Sequence, residues 1–334
     1  MLPPTLVVGD PLPTALMLIR AFLDGLSTCF LTAAFAWGSL AGCARSPPQP
    51  EHLVPRAAEL LIAVDVAALT GSPLFSTGWA HLEHEPAARS ATDALRACGL
   101  SPAKWQHLLI GADANFHSVL VIGARHIGKP DRWRCVVERL APRDIRPHDM
   151  TLRVREDDAL IWALGEHRAI GHSVGPHLIA WSDPEWAPQV QRLAQGKGPS
   201  VVAGVLAPLM ARVDRSHAIW AVARVPADPP PRLDLPSDGA TALTVEMDLR
   251  HGVRMEATVQ FGTEAQSARA TDELRIALDA ARPLAAWLRM PTGVLDAVQL
   301  HHTRELFHLD LRLRPQDVSA LANRLKPGMD LPPH

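Results

Sequence analysis

The chain has 334 residues, enough for one large domain or two smaller ones, each able to bury a core. A hydrophobic share of 47%, a charged share of 20% and a net charge of -2 describe an ordinary globular protein, with no basic field to favour nucleic acid, which is set aside as a partner. Tyrosine is absent and lysine occurs only at Lys104, Lys129, Lys197 and Lys326, a bias that codon usage in a GC-rich genome accounts for.

From Gly25 to Leu40 the chain reads GLSTCFLTAAFAWGSL, sixteen residues without a charge. That falls short of the roughly 20 apolar residues a spanning helix needs and fits the apolar core of a secretory signal. Leu40-Ala41-Gly42-Cys43 follows: a leucine, two small residues and a cysteine. This run resembles the lipobox of bacterial lipoproteins. The resemblance implies a signal spanning 1–42, diacylglycerol on the Cys43 sulfur, cleavage before Cys43 and acylation of the new amino group. Several acyl chains anchor far more firmly than one. The next residues, ARSPPQP from Ala44, are polar and proline-rich and read as a tether reaching about Val54. Ala44, rather than Asp after the cysteine, points to the outer membrane, facing the periplasm or the cell surface. The first sixteen residues carry no positive charge, whereas a start at Met17 would place Arg20 at the positive end of the signal. The alternative is a buried apolar helix followed by a chance cysteine.

Cys29 leaves with the signal, so the mature body keeps Cys98 and Cys135. Cys98 ends a helix-like run from Ala87, and Cys135 lies inside another from Asp131 to Leu140. In an oxidising compartment the two could bridge if both helices cover the same sheet face; two separately buried thiols are the alternative. No CxxC or Cys/His zinc spacing occurs, and no metal or other cofactor is expected.

After the tether, Glu59–Val66 (ELLIAVDV) reads as a buried strand, followed by a helical region and a second strand at His107–Ile110. Gly111–Asn115 is turn-like, Phe116–Ile122 a third strand, and Pro130-Asp131 opens a helix. ALIWALG, RAIGHSV and HLIAW between 159 and 181 form a meander, and Asp183-Pro184 starts a helix to Leu193. Val201–Val213 reads as another helical run and Ser216–Val225 as a strand. The proline-rich stretch from Pro226 marks a linker, 226–240, between a first unit at 55–225 and a second at 241–334.

The second unit has the clearest periodicity. Leu243, Val245, Met247 and Leu249 alternate with polar residues, as do Val253, Met255, Ala257, Val259 and Phe261, an amphipathic hairpin with one buried face. Thr263 and Gln266 form a capping box for a long helix. A second hairpin runs from Ala297 to Arg312, and Pro315 starts a closing helix to Leu325. The expected fold is α+β: antiparallel sheets with helices packed on one face. Both units pair strands and then add a helix, a rhythm that suits two related halves, although residue identities do not establish a duplication. PRAAELLIAVDVAALTGSPLF, HLIAWSDPEWAPQVQRLAQ and RSHAIWAVARV loosely resemble uncharacterised lipoproteins of GC-rich environmental bacteria, a resemblance that implies no activity.

Gly171-His172-Ser173-Val174-Gly175 matches G-x-S-x-G and resembles the nucleophile elbow of α/β-hydrolases, which makes Ser173 a catalytic candidate. Asp248 or Asp296 followed by His301, His302 or His308 supplies the order of acid and base. The context argues against an elbow, which needs a buried strand before the serine and a helix directly after it. Here Glu166–Ile170 is polar and Pro176 leads to another strand. His81-Leu82-Glu83-His84-Glu85 could place His81, His84 and Glu85 on neighbouring helical turns as metal ligands, yet Pro86 interrupts it and a solvated loop is the simpler reading. His301 and His302 share a strand and so point to opposite faces. Asp65, at the end of the first strand, reads as a helix cap near Ala67 or as a functional carboxylate. Trp79, Trp105, Trp133, Trp162, Trp181, Trp186, Trp220 and Trp287 do not cluster in sequence and read as packing residues, with a sugar or peptide groove that uses a few of them as the alternative. The function expected is lipid-anchored, non-enzymatic binding or scaffolding in the cell envelope, with an envelope protein or polymer as partner. The alternative is a serine hydrolase using Ser173.

Overall fold

A computed structural model describes residues 49–72, 86–140, 150–154, 160–164, 167–226, 239–287 and 293–324. The signal, Cys43, His81, His84, Glu85, Trp79 and most of the linker after Pro226 lie outside these residues.

The fold is α+β. Twelve antiparallel strands form one sheet: β1 (Leu60–Asp65), β2 (His107–Ala112), β3 (Ser118–Gly123), β4 (Met150–Val154), β5 (Leu160–Leu164), β6 (His167–Val174), β7 (Leu178–Ser182), β8 (Ile219–Arg224), β9 (Ala240–Asp248), β10 (Val253–Phe261), β11 (Val298–Thr303) and β12 (Leu306–Leu313). Across the sheet the order is β11-β12-β10-β9-β8-β1-β2-β3-β7-β6-β5-β4. The helices are α1 (Val66–Thr70), α2 (Pro86–Ala97), α3 (Pro130–Leu140), α4 (Ala187–Ala194), α5 (Ala207–Met210), α6 (Glu264–Trp287), α7 (Gly293–Asp296) and α8 (Pro315–Arg324).

The strand order repeats. In the first half β1-β2-β3 form a meander, α3 follows, and a second meander, β4 to β7, returns to dock β7 against β3. In the second half β8-β9-β10 form a meander, α6 follows, and β11-β12 return to dock β12 against β10. The two halves meet where β1 pairs with β8, so the sheet is continuous from one to the other.

Alternation along the central strands explains where the core sits, because successive side chains take opposite faces. Val64, Leu108, Ile122 and Ile179 pack with Leu69, Cys98, Trp133 and Val136 from α1 to α3 and the segments flanking them. Leu61, Leu109, Val121, Ala180 and Val222 pack on the other side with Leu53, Trp186, Val190, Leu206 and Met210. The middle of the sheet is therefore covered on both faces. That double cover explains why ELLIAVDV reads as an unbroken apolar run.

Three expectations change. Leu53 and Val54 are fully buried, so the stretch read as tether up to Val54 joins the core from Pro50 onward. Val201–Val213 is not one helix: a 3-10 turn at Val201–Ala203 and the four-residue α5 are separated at Gly204, whose backbone is extended at φ -97. A Cβ there would fall 2.6 Å from the Arg56 carbonyl oxygen, so the close approach of that backbone excludes a side chain. β4, absent from the sequence reading, pairs with β5. The capping box at α6 is half made: the Gln266 N–H donates to Thr263 Oγ1 at 3.3 Å, while the Thr263 hydroxyl donates to Gln266 Oε1 at 3.0 Å.

Candidate functional site

Ser173 lies inside β6, opposite Ile179 of β7, and the chain beyond it turns through Gly175 (φ +66) into that antiparallel strand. A nucleophile elbow instead leads from a strand into a helix. The two glycines have other work. A Cβ on Gly171 would fall 2.9 Å from two ring carbons of Trp181, and Gly175 supplies the left-handed turn. The Ser173 hydroxyl is buried without a hydrogen-bond partner among the described residues. Eight strand spacings separate β6 from β12, which carries His308; at about 4.8 Å each, roughly 38 Å of sheet lies between them. Asp248, on β9, is six spacings away, and Asp296, His301 and His302 sit at or beside the far edge strand β11. The structure therefore does not bring the hydrolase candidates together.

Asp65 is the N-cap of α1: its Oδ1 accepts from the Ala68 N–H at 3.1 Å, the capping role expected of it. Cys98 and Cys135 are joined, with Cα atoms 5.8 Å apart, and tie the end of α2 to α3. Trp105, Trp133, Trp186 and Trp220 are buried, and Trp133 meets Trp181 edge-on at 5.4 Å while donating its indole N–H to the Ile127 carbonyl. Among the described residues, no group of three metal-ligating side chains could hold an ion, and no helix is long and apolar enough to cross a membrane.

The second half offers a different surface. On one side of β9, β10, β12 and β11 the apolar residues Met247 and Leu311 join the core. The opposite side is polar and ordered by register. Glu246, Glu256 and Asp310 are cross-strand neighbours in one row. Thr244, Thr258, His308 and His301 form the next row, of which the sequence reading found only the histidines, without their pairing. Arg254 donates to Glu256 at 3.0 Å, and the His217 ring lies 3.4 Å from Glu246, so the carboxylates are partly compensated. The His301 and His308 rings stack with centroids 4.7 Å apart, and His308 Nδ1 shares a hydrogen bond with Thr258 at 3.1 Å. Burial, reinforced by the neighbouring His301, holds the His308 imidazole below its ordinary range. His302 is exposed on β11, separated from His301 by the strand alternation. This face could hold a polar partner through hydrogen bonds. Among the described residues the large exposed apolar side chains are Phe116, Val205 and Ile276, on three separate segments of the chain.

No family model matches the chain, and no curated protein matches it in sequence. The chain is similar in structure to TP0453, whose crystal form III superposes with a TM-score of 0.47 at 10% identity, covering 82% of this chain and 98% of that one. Crystal form IV of the same protein gives a TM-score of 0.46 at 10% identity, with coverage of 82% and 95%.

Proposed function

We propose that the chain is a cell-envelope protein held to a membrane by lipid on Cys43, and that it acts by binding or scaffolding rather than by catalysis. The observation that carries this reading is Leu40-Ala41-Gly42-Cys43 directly after sixteen uncharged residues. A Cys98–Cys135 bridge supports export, because such bridges persist in oxidising compartments and are rare in the cytosol. The packed body starts at Pro50, seven residues after Cys43, leaving a short polar lead between anchor and core. The binding role rests on the polar rows of β9 to β12, where an envelope protein or polymer would find donors and acceptors already aligned by the sheet. Outer-membrane placement is part of the proposal and follows from Ala44.

Cell fractionation tests it. Wild-type protein made in a Gram-negative host should sediment with membranes and resist salt and alkaline extraction, while Cys43→Ala should lose the detergent requirement. Equal behaviour of the two would overturn the anchor. Cross-linking from the polar face, with a reactive group at Gln299 of β11, should then capture an envelope component. A capture pattern that is the same from an unrelated surface position would remove the binding face.

A further inference from the structure

The end of the sheet where β3 finishes carries cations that lie apart from the polar rows of β9 to β12. His107 opens β2 opposite Gly123, the last residue of β3. The loop 124–129 then runs directly into α3. It is zipped to the β6–β7 turn: the Ala124 N–H donates to the His177 carbonyl at 2.8 Å and the Gly128 N–H to the Pro176 carbonyl at 3.3 Å. Gly128 is obligatory there, since a Cβ would fall 1.9 Å from the Gly175 carbonyl oxygen. On the other side the Gln106 N–H donates to the Gly123 carbonyl at 3.0 Å, which brings Lys104 to the same end.

Three loops thus place Lys104, His107, Arg125, His126, Lys129 and His177 along one rim, with Lys104, Arg125, Lys129 and His177 exposed. Two of the chain's four lysines are here. Among the described residues, Lys104, Arg125 and Lys129 enter no ion pair, whereas Arg96, Arg250, Arg254 and Arg314 each sit on a carboxylate. Of the described acids beside them, Asp131 is held by Arg134, and Asp65, paired with His107 across β1 and β2, caps α1 by accepting from the Ala68 N–H. His126 takes a left-handed backbone at φ +71, and its Nδ1 is buried without a hydrogen-bond partner among the described residues. Burial first, and then the field of Lys129, Arg125, Arg132 and His177, lowers its imidazole below the ordinary range.

We propose that this rim binds the phosphate headgroups of anionic phospholipid and lays the body down on the membrane that holds its anchor. The cations are spread along an edge over three loops rather than gathered in a cavity, which suits a flat anionic surface. The reach is sufficient. Seven residues from Cys43 to Pro50 span up to about 25 Å, and Val54, just after the 3-10 turn, packs beside Val119 at the start of β3, four residues or roughly 14 Å from Gly123 at the rim. The inference rests on the reading of Cys43 as the anchor.

The test uses the full chain made in a Gram-negative host, added to vesicles of phosphatidylcholine alone or mixed with phosphatidylglycerol. Flotation is scored together with acylation of Lys104 and Lys129 by a water-soluble amine reagent. Each cation near an anionic surface favours contact by roughly fivefold, so reactivity at both lysines should fall about fivefold or more in the anionic vesicles only. Arg125→Gln combined with Lys129→Gln should restore reactivity at Lys104. If the protein floats with both vesicles and the lysines react equally, the rim proposal is overturned while the anchor stands. Flotation only with anionic vesicles supports the rim and removes the anchor; flotation with neither removes both.

Discussion

Replacing both Cys98 and Cys135 removes a cross-link between residues 37 apart in sequence. Closing a loop of that length takes roughly 13 cal/mol/K out of the unfolded ensemble, or about 3.8 kcal/mol at 25 °C in the chain-entropy treatment. Alanine is the better replacement, because Cys98 is 1% exposed and a serine hydroxyl would be buried there. Unfolding entropy of about 2.1 cal/mol/K per residue over roughly 285 residues converts this loss into a fall in Tm of about 6 °C. Thermal unfolding followed by circular dichroism, with and without reductant, measures it. Wild type in reductant should drop to the level of the double variant, which reductant should leave unmoved. A wild-type Tm indifferent to reductant, with two free thiols titrated after unfolding, would refute the reasoning.

Other positions separate packing from chemistry. Ser173→Ala removes a hydroxyl buried without a partner among the described residues, so stability should hold or rise by roughly 1 kcal/mol; a fluorophosphonate probe that labels wild type and not this variant would reinstate the hydrolase. Gly171→Ala forces a methyl against Trp181 and should cost about 1–3 kcal/mol in denaturant unfolding; a neutral result would contradict the packing described. Asp65→Ala removes the α1 cap and should cost about 1 kcal/mol, measured the same way. In NMR titration His308 should protonate below the usual histidine range, and His117, hydrogen-bonded to Asp113, above it. The depressed His308 therefore adds stability that fades as pH falls below the unfolded value toward its folded one. The raised His117 adds stability that fades as pH rises through its folded value. Asp113→Asn should return His117 toward the ordinary range, and a His117 titration unmoved by that change would sink this assignment.

Local pattern carried the second half of the chain well. The alternation in Thr241–Leu249 and Val253–Phe261 is a period-2 signal over nine residues, and each strand formed where the pattern lay. Val201–Val213 misled because its apolar spacing suits a helix while the decisive contact, Gly204 against Arg56, is tertiary. Met150–Val154, five residues long, is too short for its alternation to stand out. Sheet order was not legible at all: the β1–β8, β3–β7 and β10–β12 pairs join strands far apart in sequence, and nothing local encodes them. The candidate surfaces follow from that order. His301 and His308 stack only because of the β11–β12 register, and Lys104, Arg125 and His177 share a rim only because β2, β3 and β7 are neighbours. The GHSVG motif was legible as a string, but its serine needed the sheet to show what surrounds it.

Lipidation of Cys43 is the central claim, and metabolic labelling with a fatty-acid analogue in a Gram-negative host tests it most directly. The account predicts label on wild type, none on Cys43→Ala, and a labelled N-terminal peptide beginning at Cys43. Unlabelled wild type, or equal label on both proteins, would contradict it.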